Sequence, residues 1–347
     1  MGFSTFLTTR ARIFWPEVVP RRSRSRAHAG PRIILVRANP MGTVTKTMSQ
    51  PILEAYPGVE RVKEFVPLGT DRPCYLSGAQ IEDFNDKGYI CPIDVFTPDE
   101  AEANRAYFDD LLAKALAKGW NSYGQAGWHI HCRGLHDFVT EERILGPVRD
   151  LLGSNLVCWT THFFTKLPGD GKQVSWHQDA SFWPLTPSKT VTAWLAFDDA
   201  DRGNAAMQVI PGTHRLGQLP FIHSEEGESN VLDQSTVDID SFAEPPVHLE
   251  MRAGQMSLHT DWLLHGSDAN RSDRRRCGLT LRFTSPDVRN FTVSEGTGVI
   301  ACGRDSSGYW QHQPRPAGED IPDPPRPEDD WQRRSGWKRA WDDARGR

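Results

Sequence analysis

The sequence predicts a mainly β protein, a sandwich or barrel of short strands with helices packed outside it. Helical signals are concentrated between residues 77 and 153, and β-rich segments follow from 157 to 284. Pro, Gly, Asn or Asp clusters separate most of these segments. The hydrophobic content of 38% is enough to build a core, which excludes a chain that is disordered throughout.

Each predicted helix has its own start and stop signals. Ser77 begins a short helix that ends before Gly88. Thr97 followed by Pro98 and two acids predicts the start of a second helix, which continues to residue 119. A third helix is expected at about 141–152. The apolar face predicted for the second helix comprises Tyr107, Leu111, Leu112 and Leu116.

After residue 153 the pattern changes from helical to β-rich, with many β-branched and aromatic residues. The segments are short and regularly separated by turn formers, as in sandwiches and barrels. The predicted strands are 157–166, 190–197, 206–210, 247–251, 255–259 and 277–284.

The two ends of the chain differ from its middle. Residues 1–47 contain nine Lys or Arg and one acid, which indicates a mitochondrial transit peptide or a start assigned too far upstream. We expect this segment to be disordered. Residues 303–347, rich in Pro, Trp and charge, predict an irregular tail or a strap. A single domain is expected over 48–302, with a helical part at about 77–153 and a β core at about 154–300.

Charge and cysteine content argue against several classes of protein. A net charge of -5 disfavours a general nucleic-acid binder, and no apolar run approaches the ~18 residues that a membrane helix needs. The six cysteines include no CxxC pair, which disfavours a disulfide framework and a thiolate zinc site. We expect a cytoplasmic protein, or a mitochondrial one if residues 1–47 are a genuine transit peptide. The sequence does not indicate an oligomeric state.

The best chemical signal is the pentapeptide at 175–179, which ends a predicted strand segment. Residues two apart on a strand point to the same side, so His177 and Asp179 can converge on one ion. An imidazole and a carboxylate are two of the three ligands in the 2-His-1-carboxylate triad that binds Fe(II). An HxD pair alone is weak evidence, and the third ligand must come from elsewhere in the chain.

His265 offers that third ligand, 86 residues after Asp179. Turn formers follow it, and the chain returns through three arginines at 274–276, which predicts a hairpin that brings an Arg beside His265. Such an Arg can bind a carboxylate with two parallel hydrogen bonds. Ser267, on the same strand face as His265, can add another. Spacing alone does not choose among the three arginines.

Residues from about 78 to 300 resemble the phytanoyl-CoA dioxygenase family of Fe(II)- and 2-oxoglutarate-dependent oxygenases. The resemblance is carried by WHQD at 176–179, VIPGTH at 209–214 and HGSxxNxSxxRR at 265–276. It implies a double-stranded β-helix core of the jelly-roll or cupin-like kind, with O2 and 2-oxoglutarate as co-substrates. The implied iron ligands are His177, Asp179 and His265, and the implied 2-oxoglutarate contacts are Arg276, Ser267, Trp194 and Lys166.

The function implied by this resemblance is hydroxylation of a small organic substrate, coupled to decarboxylation of 2-oxoglutarate to succinate and CO2. The alternatives are a non-catalytic ligand-binding β-barrel, a halogenase and a cupin-type isomerase. Asp179 argues against a halogenase, because halogenases of related families lack the carboxylate ligand. We expect no nucleic-acid or membrane partner. If the polar, acidic loop at about 216–242 covers the site, it suits a small polar or cationic substrate.

Other histidines are weaker candidates for metal binding. His129, His131 and His136 have no Cys, Asp or Glu at a helpful spacing, so we expect them to be structural or to line the substrate pocket. The resemblance implies that His259 lies close to the iron site without binding the metal.

Overall fold

The structure is a computed structural model, and it describes residues 53, 55–56, 59–223, 229–232, 234–236, 239–242, 244–292 and 295–324. By its internal contacts the chain divides into two units, 1–48 and 49–347. The basic segment 1–47, the acidic run 225–228 and the end of the tail from 325 lie outside the described residues.

The predicted helices are present, and their boundaries are set by local capping. Ser77 and Thr97 each form a reciprocal capping box with the residue three positions later. Gly88, at φ 90°, ends the first helix in the left-handed conformation that glycine favours. The prediction for Leu116 was wrong: it is exposed, and Ala115 takes the buried position. The helices of the described residues are α1 Gly78–Lys87, α2 Pro98–Ala117, α3 Arg133–Val139 and α4 Glu142–Leu152.

The strands form two larger sheets and two short ribbons. The larger sheet has the order β1-β10-β5-β12-β2-β14-β15, the smaller one β3-β11-β6-β9, and the ribbons pair β13 with β4 and β7 with β8. The strands of the described residues are β1 Tyr89–Asp94, β2 Leu156–Lys166, β3 Val174–His177, β4 Leu185–Thr186, β5 Thr190–Ala196, β6 Gln208–Val209, β7 Phe221–His223, β8 Gln234–Thr236, β9 Val247–His248, β10 Gln255–Thr260, β11 His265–Ser267, β12 Arg276–Thr284, β13 Arg289–Asn290, β14 Gly296–Cys302 and β15 Trp310–His312.

Four of the predicted strands agree with this assignment to within one residue at each end, and the other two are much shorter than predicted. The segments 206–210 and 247–251 contain only the two-residue strands β6 and β9, which pair with each other. Both lie in the smaller sheet, where neighbouring loops supply much of the backbone hydrogen bonding, including Leu249 N–H to Met207 O.

The larger sheet separates the hydrophobic core from the interior between the sheets. On β12, Leu279, Leu281 and Phe283 pack in a core that also contains side chains of α2 and α4. The alternate residues Arg276, Thr280 and Arg282 line a cavity on the opposite face. Period-two alternation therefore places polar side chains inside the fold on a strand that is buried on both faces.

The stretch from residue 303 is not wholly irregular, because it contributes β15, which pairs in parallel with β14. Trp310 is buried, and its indole Nε1 donates to the Val288 carbonyl at 2.9 Å. Further along, the Glu319 carboxylate accepts from the Tyr107 hydroxyl on α2 at 2.8 Å. No helix within the described ranges is both long enough and apolar enough to cross a bilayer.

Candidate metal centre

His177 is the last residue of β3, and Asp179 follows in a single 3-10 turn. The expectation that both lie on one strand was therefore wrong. The strand ends because Gln178 turns away, where its side-chain amide donates to the carbonyls of Gly217 and Trp262. The turn still brings the two side chains together, with 3.5 Å between His177 Nε2 and Asp179 Oδ1.

His265 is the first residue of β11, and it is the antiparallel register partner of His177 on β3. The two imidazole centroids are 4.1 Å apart, and His265 Nε2 lies 3.9 Å from Asp179 Oδ2. One ligand atom from each of the three residues lies within 4.8 Å of the other two. Within the described parts of the chain, this is the group of His, Cys and acidic side chains that is close enough to hold a metal ion.

Hydrogen bonds orient both imidazoles for coordination through Nε2. His177 Nδ1 lies 2.8 Å from the Ser175 carbonyl, and His265 Nδ1 lies 2.9 Å from the Leu263 carbonyl. A carbonyl only accepts, so each Nδ1 carries a proton, which leaves Nε2 as the ring atom of each histidine that can coordinate an ion beside Asp179. Two neutral imidazoles and one carboxylate form the donor set that suits Fe(II) and leaves other coordination positions open.

The electrostatics of the site agree with this donor set. Burial lowers the pKa of His265 well below its ordinary value, and the neighbouring His177 lowers it further. Burial alone would raise the pKa of Asp179, but the contact with His177 and the nearby Arg282 outweigh it, so this pKa lies below its usual range. The carboxylate is therefore ionised and His265 is neutral, as metal binding requires.

The VIPGTH segment at 209–214 contacts the backbone next to the metal ligand His265. Val209 on β6 is the register partner of His265 on β11. Thr213 Oγ1 accepts from the Leu264 backbone N–H at 3.1 Å and donates to the Ile210 carbonyl at 2.7 Å. These bonds fix the backbone directly before His265, which gives this sequence marker a structural role.

The three consecutive arginines have different environments. Arg274 pairs with Asp201, and Arg275 pairs with Asp198 and Asp109. Arg276 is 2% exposed, lines the cavity, and donates from Nη2 to Ser267 Oγ at 3.4 Å. Its Nε has no hydrogen-bond partner among the described residues.

The predicted hairpin between His265 and the arginines was wrong, because β11 and β12 belong to different sheets. The connection crosses from the smaller to the larger sheet. Asn270 holds it, since its side-chain amide donates to the carbonyls of Arg274 and Leu167. Arg276 therefore approaches the site from the facing sheet.

Trp194 and Lys166 lie on opposite sides of Arg276. Trp194 is 3% exposed and lines the cavity, with its ring centroid 5.6 Å from the Arg276 guanidinium carbon. Lys166 is the register partner of Arg276 on β2, and it is fully buried. Its ammonium donates to the backbone carbonyls of Lys172, Ser267 and Asp268. Among the described residues, it is not one that lines the cavity.

The metal centre faces a cavity that contains about 410 Å³ of empty space, open solvent included. Four polar residues of the site line it together with the triad: Ser267, Arg276, Thr280 and Arg282. Its other walls are Phe164, Val174, Trp194, Met207, His259 and Gly266. Sequence reasoning did not identify Arg282, although the alternation Arg276, Gly278, Thr280, Arg282 marks one face of a buried strand.

Two of the other candidate histidines lie outside the triad. His259 lines the cavity with its ring 5.0 Å from that of His265, outside the triad. His129 is buried and lies away from the cavity, where its Nδ1 is 3.2 Å from Thr161 Oγ1.

A sequence profile described as phytanoyl-CoA dioxygenase (PhyH) matches residues 84–278, which is more than half of the chain. The chain belongs to the phytanoyl-CoA dioxygenase family. The matched region includes α2 to α4 and both sheets up to Gly278, and with them the complete His-Asp-His triad. The resemblance carried by the three sequence motifs is confirmed.

Individual relatives of this phytanoyl-CoA dioxygenase family member match over part of their length. A probable phytanoyl-CoA dioxygenase of Caenorhabditis elegans is 31% identical over 171 residues, 47% of this chain and 54% of that protein. The peroxisomal phytanoyl-CoA dioxygenase of Rattus norvegicus is 27% identical over 245 residues, 63% of this chain and 71% of that protein.

Solved structures share the fold. The apo structure of ThoJ, described as a non-heme monooxygenase, has a TM-score of 0.60 at 24% sequence identity, covering 77% of this chain and 94% of that chain. The predicted fold, mainly β with flanking helices around a double-stranded β-helix, is confirmed.

Proposed function

We propose that this protein is an Fe(II)- and 2-oxoglutarate-dependent dioxygenase that hydroxylates a small organic substrate. The observation that supports this most strongly is the convergence of His177, Asp179 and His265 within 4.8 Å at the wall of a cavity that also contains Arg276. 2-Oxoglutarate needs two binding groups: a metal ion for its keto acid end and a cationic side chain for its second carboxylate. The triad can hold the metal, and Arg276 provides the buried guanidinium.

The proposed roles follow from each residue's position. His177, Asp179 and His265 hold Fe(II), and Arg276 with Ser267 binds the far carboxylate of 2-oxoglutarate. When bound, iron and 2-oxoglutarate with O2 supply the oxidising chemistry that yields succinate and CO2. The chain itself orients the ligands, excludes water and positions the substrate.

We propose less direct roles for Trp194 and Lys166. Trp194 forms a wall of the co-substrate pocket and keeps the Arg276 guanidinium in place through its ring face. Lys166 acts through the backbone. Its ammonium binds the carbonyls of Ser267 and Asp268, which follow the metal ligand His265 on and just after β11.

The alternatives lack a specific supporting observation. A halogenase is disfavoured by Asp179, which provides the carboxylate ligand at the centre of the triad. A cupin-type isomerase would leave the buried pair of Arg276 and Ser267 without a ligand. A non-catalytic barrel would not require the oriented Nε2 atoms of both histidines.

The test is an anaerobic titration of the Fe(II)-loaded full chain with 2-oxoglutarate, monitored by the visible charge-transfer band of a chelated keto acid. We expect the band in the wild type and in Arg274→Gln, whose side chain pairs with Asp201 away from the cavity. Arg276→Gln should need roughly ten to a hundred times more 2-oxoglutarate, because charge-assisted hydrogen bonds contribute ~1.5–3 kcal/mol. No band in the wild type would refute the proposed function.

A further inference from the structure

The cavity contains a second buried guanidinium, Arg282, that the proposed chemistry leaves without a ligand. Arg276 and Arg282 share the inward face of β12, with Gly278 and Thr280 between them. Six residues of strand separate the two Cα atoms by roughly 20 Å. Both side chains line the same cavity.

The Arg282 side chain is 7% exposed, its Nε is buried without a hydrogen-bond partner, and it forms no ion pair with a described residue. Its guanidinium carbon lies 4.9 Å from the ring centroid of Trp183 and 5.9 Å from that of Phe164. These aromatic rings hold the guanidinium in place but provide no acceptor for its N–H groups. Asp179, the nearby acid that acts on it electrostatically, forms no ion pair with it. A buried charge in this state is costly unless a ligand completes it.

Two further polar groups stand unpaired in the same row of the larger sheet. Thr192 on β5 is the register partner of Arg282 on β12 and of His259 on β10. Thr192 Oγ1 and His259 Nδ1 are both buried without a partner among the described residues. Of these two residues, His259 lines the cavity and Thr192 does not. The His259 ring lies 5.0 Å from that of His265, which places it beside the metal centre.

We propose that Arg282, assisted by His259, binds the carboxylate of an anionic primary substrate and thereby positions the rest of that molecule at the metal. This inference rests on the proposed function. Metal chelation uses one oxygen of the 2-oxoglutarate 1-carboxylate and leaves the other oxygen free, so this carboxylate is the competing anion for Arg282. Persistence of the charge-transfer band in Arg282→Gln separates the two sources.

The inferred charge of the substrate is opposite to the one suggested by the acidic loop. That expectation depended on the run 225–228, which lies outside the described residues. Among the described residues, the charged side chains that line the cavity beyond the triad are Arg276 and Arg282, and both are positive. We therefore assign the substrate to the carboxylates rather than to the amines.

The test uses benzoate as the probe, with benzamide as its neutral counterpart and phenylphosphonate as a different oxyanion. The Fe(II)- and 2-oxoglutarate-loaded chain is titrated anaerobically, and binding is followed by tryptophan fluorescence, since Trp183 contacts Arg282. Wild type, Arg282→Gln, Arg282→Lys and the control Arg274→Gln are compared. The charge-transfer band is recorded for each protein, and urea melts establish that each one is folded.

We expect benzoate to bind wild type and Arg274→Gln, and to bind Arg282→Gln about ten to a hundred times more weakly. Arg282→Lys should lie between them, because it keeps the charge and loses the paired donors. Benzamide should not distinguish the proteins. The band should persist in Arg282→Gln, whose stability should equal or exceed that of wild type because an unpaired buried charge is removed.

Several results would overturn the assignment of Arg282 while leaving the oxygenase chemistry intact. These are equal benzoate affinity in wild type and Arg282→Gln, no benzoate binding to wild type, or binding of phenylphosphonate alone. Loss of the band in Arg282→Gln would instead place Arg282 in the co-substrate site, and unfolding of this variant and of Arg282→Lys would indicate a structural role. Absence of the band in wild type would refute the proposed function itself.

Discussion

Gly278 lies under the indole of Trp194, and we predict that Gly278→Ala weakens 2-oxoglutarate binding. A Cβ at this position would lie 2.1, 2.3 and 2.4 Å from three ring atoms, whereas ordinary contacts begin near 3.4 Å. The ring must therefore move by at least about 1.3 Å. Trp194 is 3% exposed and lies against Arg276, so the movement displaces the guanidinium that we assign to the co-substrate.

Overpacking of this kind costs about 1–3 kcal/mol of free energy. We expect part of this cost to appear as weaker binding in the co-substrate pocket, because the displaced ring lies at its wall. We expect about tenfold weaker 2-oxoglutarate binding, which corresponds to ~1.4 kcal/mol. The assay is the anaerobic charge-transfer titration. A second substitution, Trp194→Phe, should restore part of the affinity because the smaller ring relieves the overlap.

Gly298 on β14 provides a matched control. A Cβ there would lie 2.6 Å from Val157 Cγ1, so Gly298→Ala also overpacks a strand glycine, but outside the residues that line the cavity. It should lower thermal stability and leave 2-oxoglutarate affinity unchanged. The reasoning is refuted if Gly278→Ala destabilises the protein yet binds 2-oxoglutarate as tightly as the wild type does.

Two further predictions concern stability. Asp261 is fully buried, and its carboxylate accepts from Ser188 Oγ at 2.6 Å. Burial raises the pKa of Asp261 to about 7, above the unfolded value of ~3.9. The stabilisation that the protonated carboxyl provides below about pH 4 is therefore lost as the pH rises through 7. In urea melts from pH 4 to 8, the wild type should lose up to about 4 kcal/mol of unfolding free energy relative to Asp261→Asn, and a pH-independent difference would contradict this. The Asp150 carboxylate accepts from the backbone N–H groups of residues 74–76 at 2.6–3.0 Å. Asp150→Ala should therefore cost about 2–4 kcal/mol of unfolding free energy with 2-oxoglutarate affinity unchanged, and a loss below about 1 kcal/mol would count against this role.

The features that the sequence predicted well have local causes. The capping residues Ser77 and Thr97 set the starts of α1 and α2 through contacts only three residues long. Alternation and turn formers located the long strands β2, β5, β10 and β12. The triad was predicted on different grounds. His177, Asp179 and His265 carry side chains that suit one metal ion, and they stand in two motifs that resemble those of the family.

The features that were missed depend on contacts between distant parts of the chain. Asp179 leaves the strand because the adjacent Gln178 bonds to Gly217 and Trp262, which no local pattern indicates. The assignment of β11 and β12 to different sheets follows from the global strand order. Lys166 was expected at the end of a strand, and only the packing of the returning segment buries it beneath the carbonyls of Ser267 and Asp268.

Equilibrium binding of Fe(II) to the full chain under anaerobic conditions tests the central claim most directly. We predict about one Fe(II) per chain for wild type and for His259→Ala, whose ring lies 5.0 Å from that of His265 but outside the triad. His265→Ala should lose this binding, because one of the three ligands that converge within 4.8 Å is removed. Undiminished Fe(II) binding by His265→Ala would contradict the account.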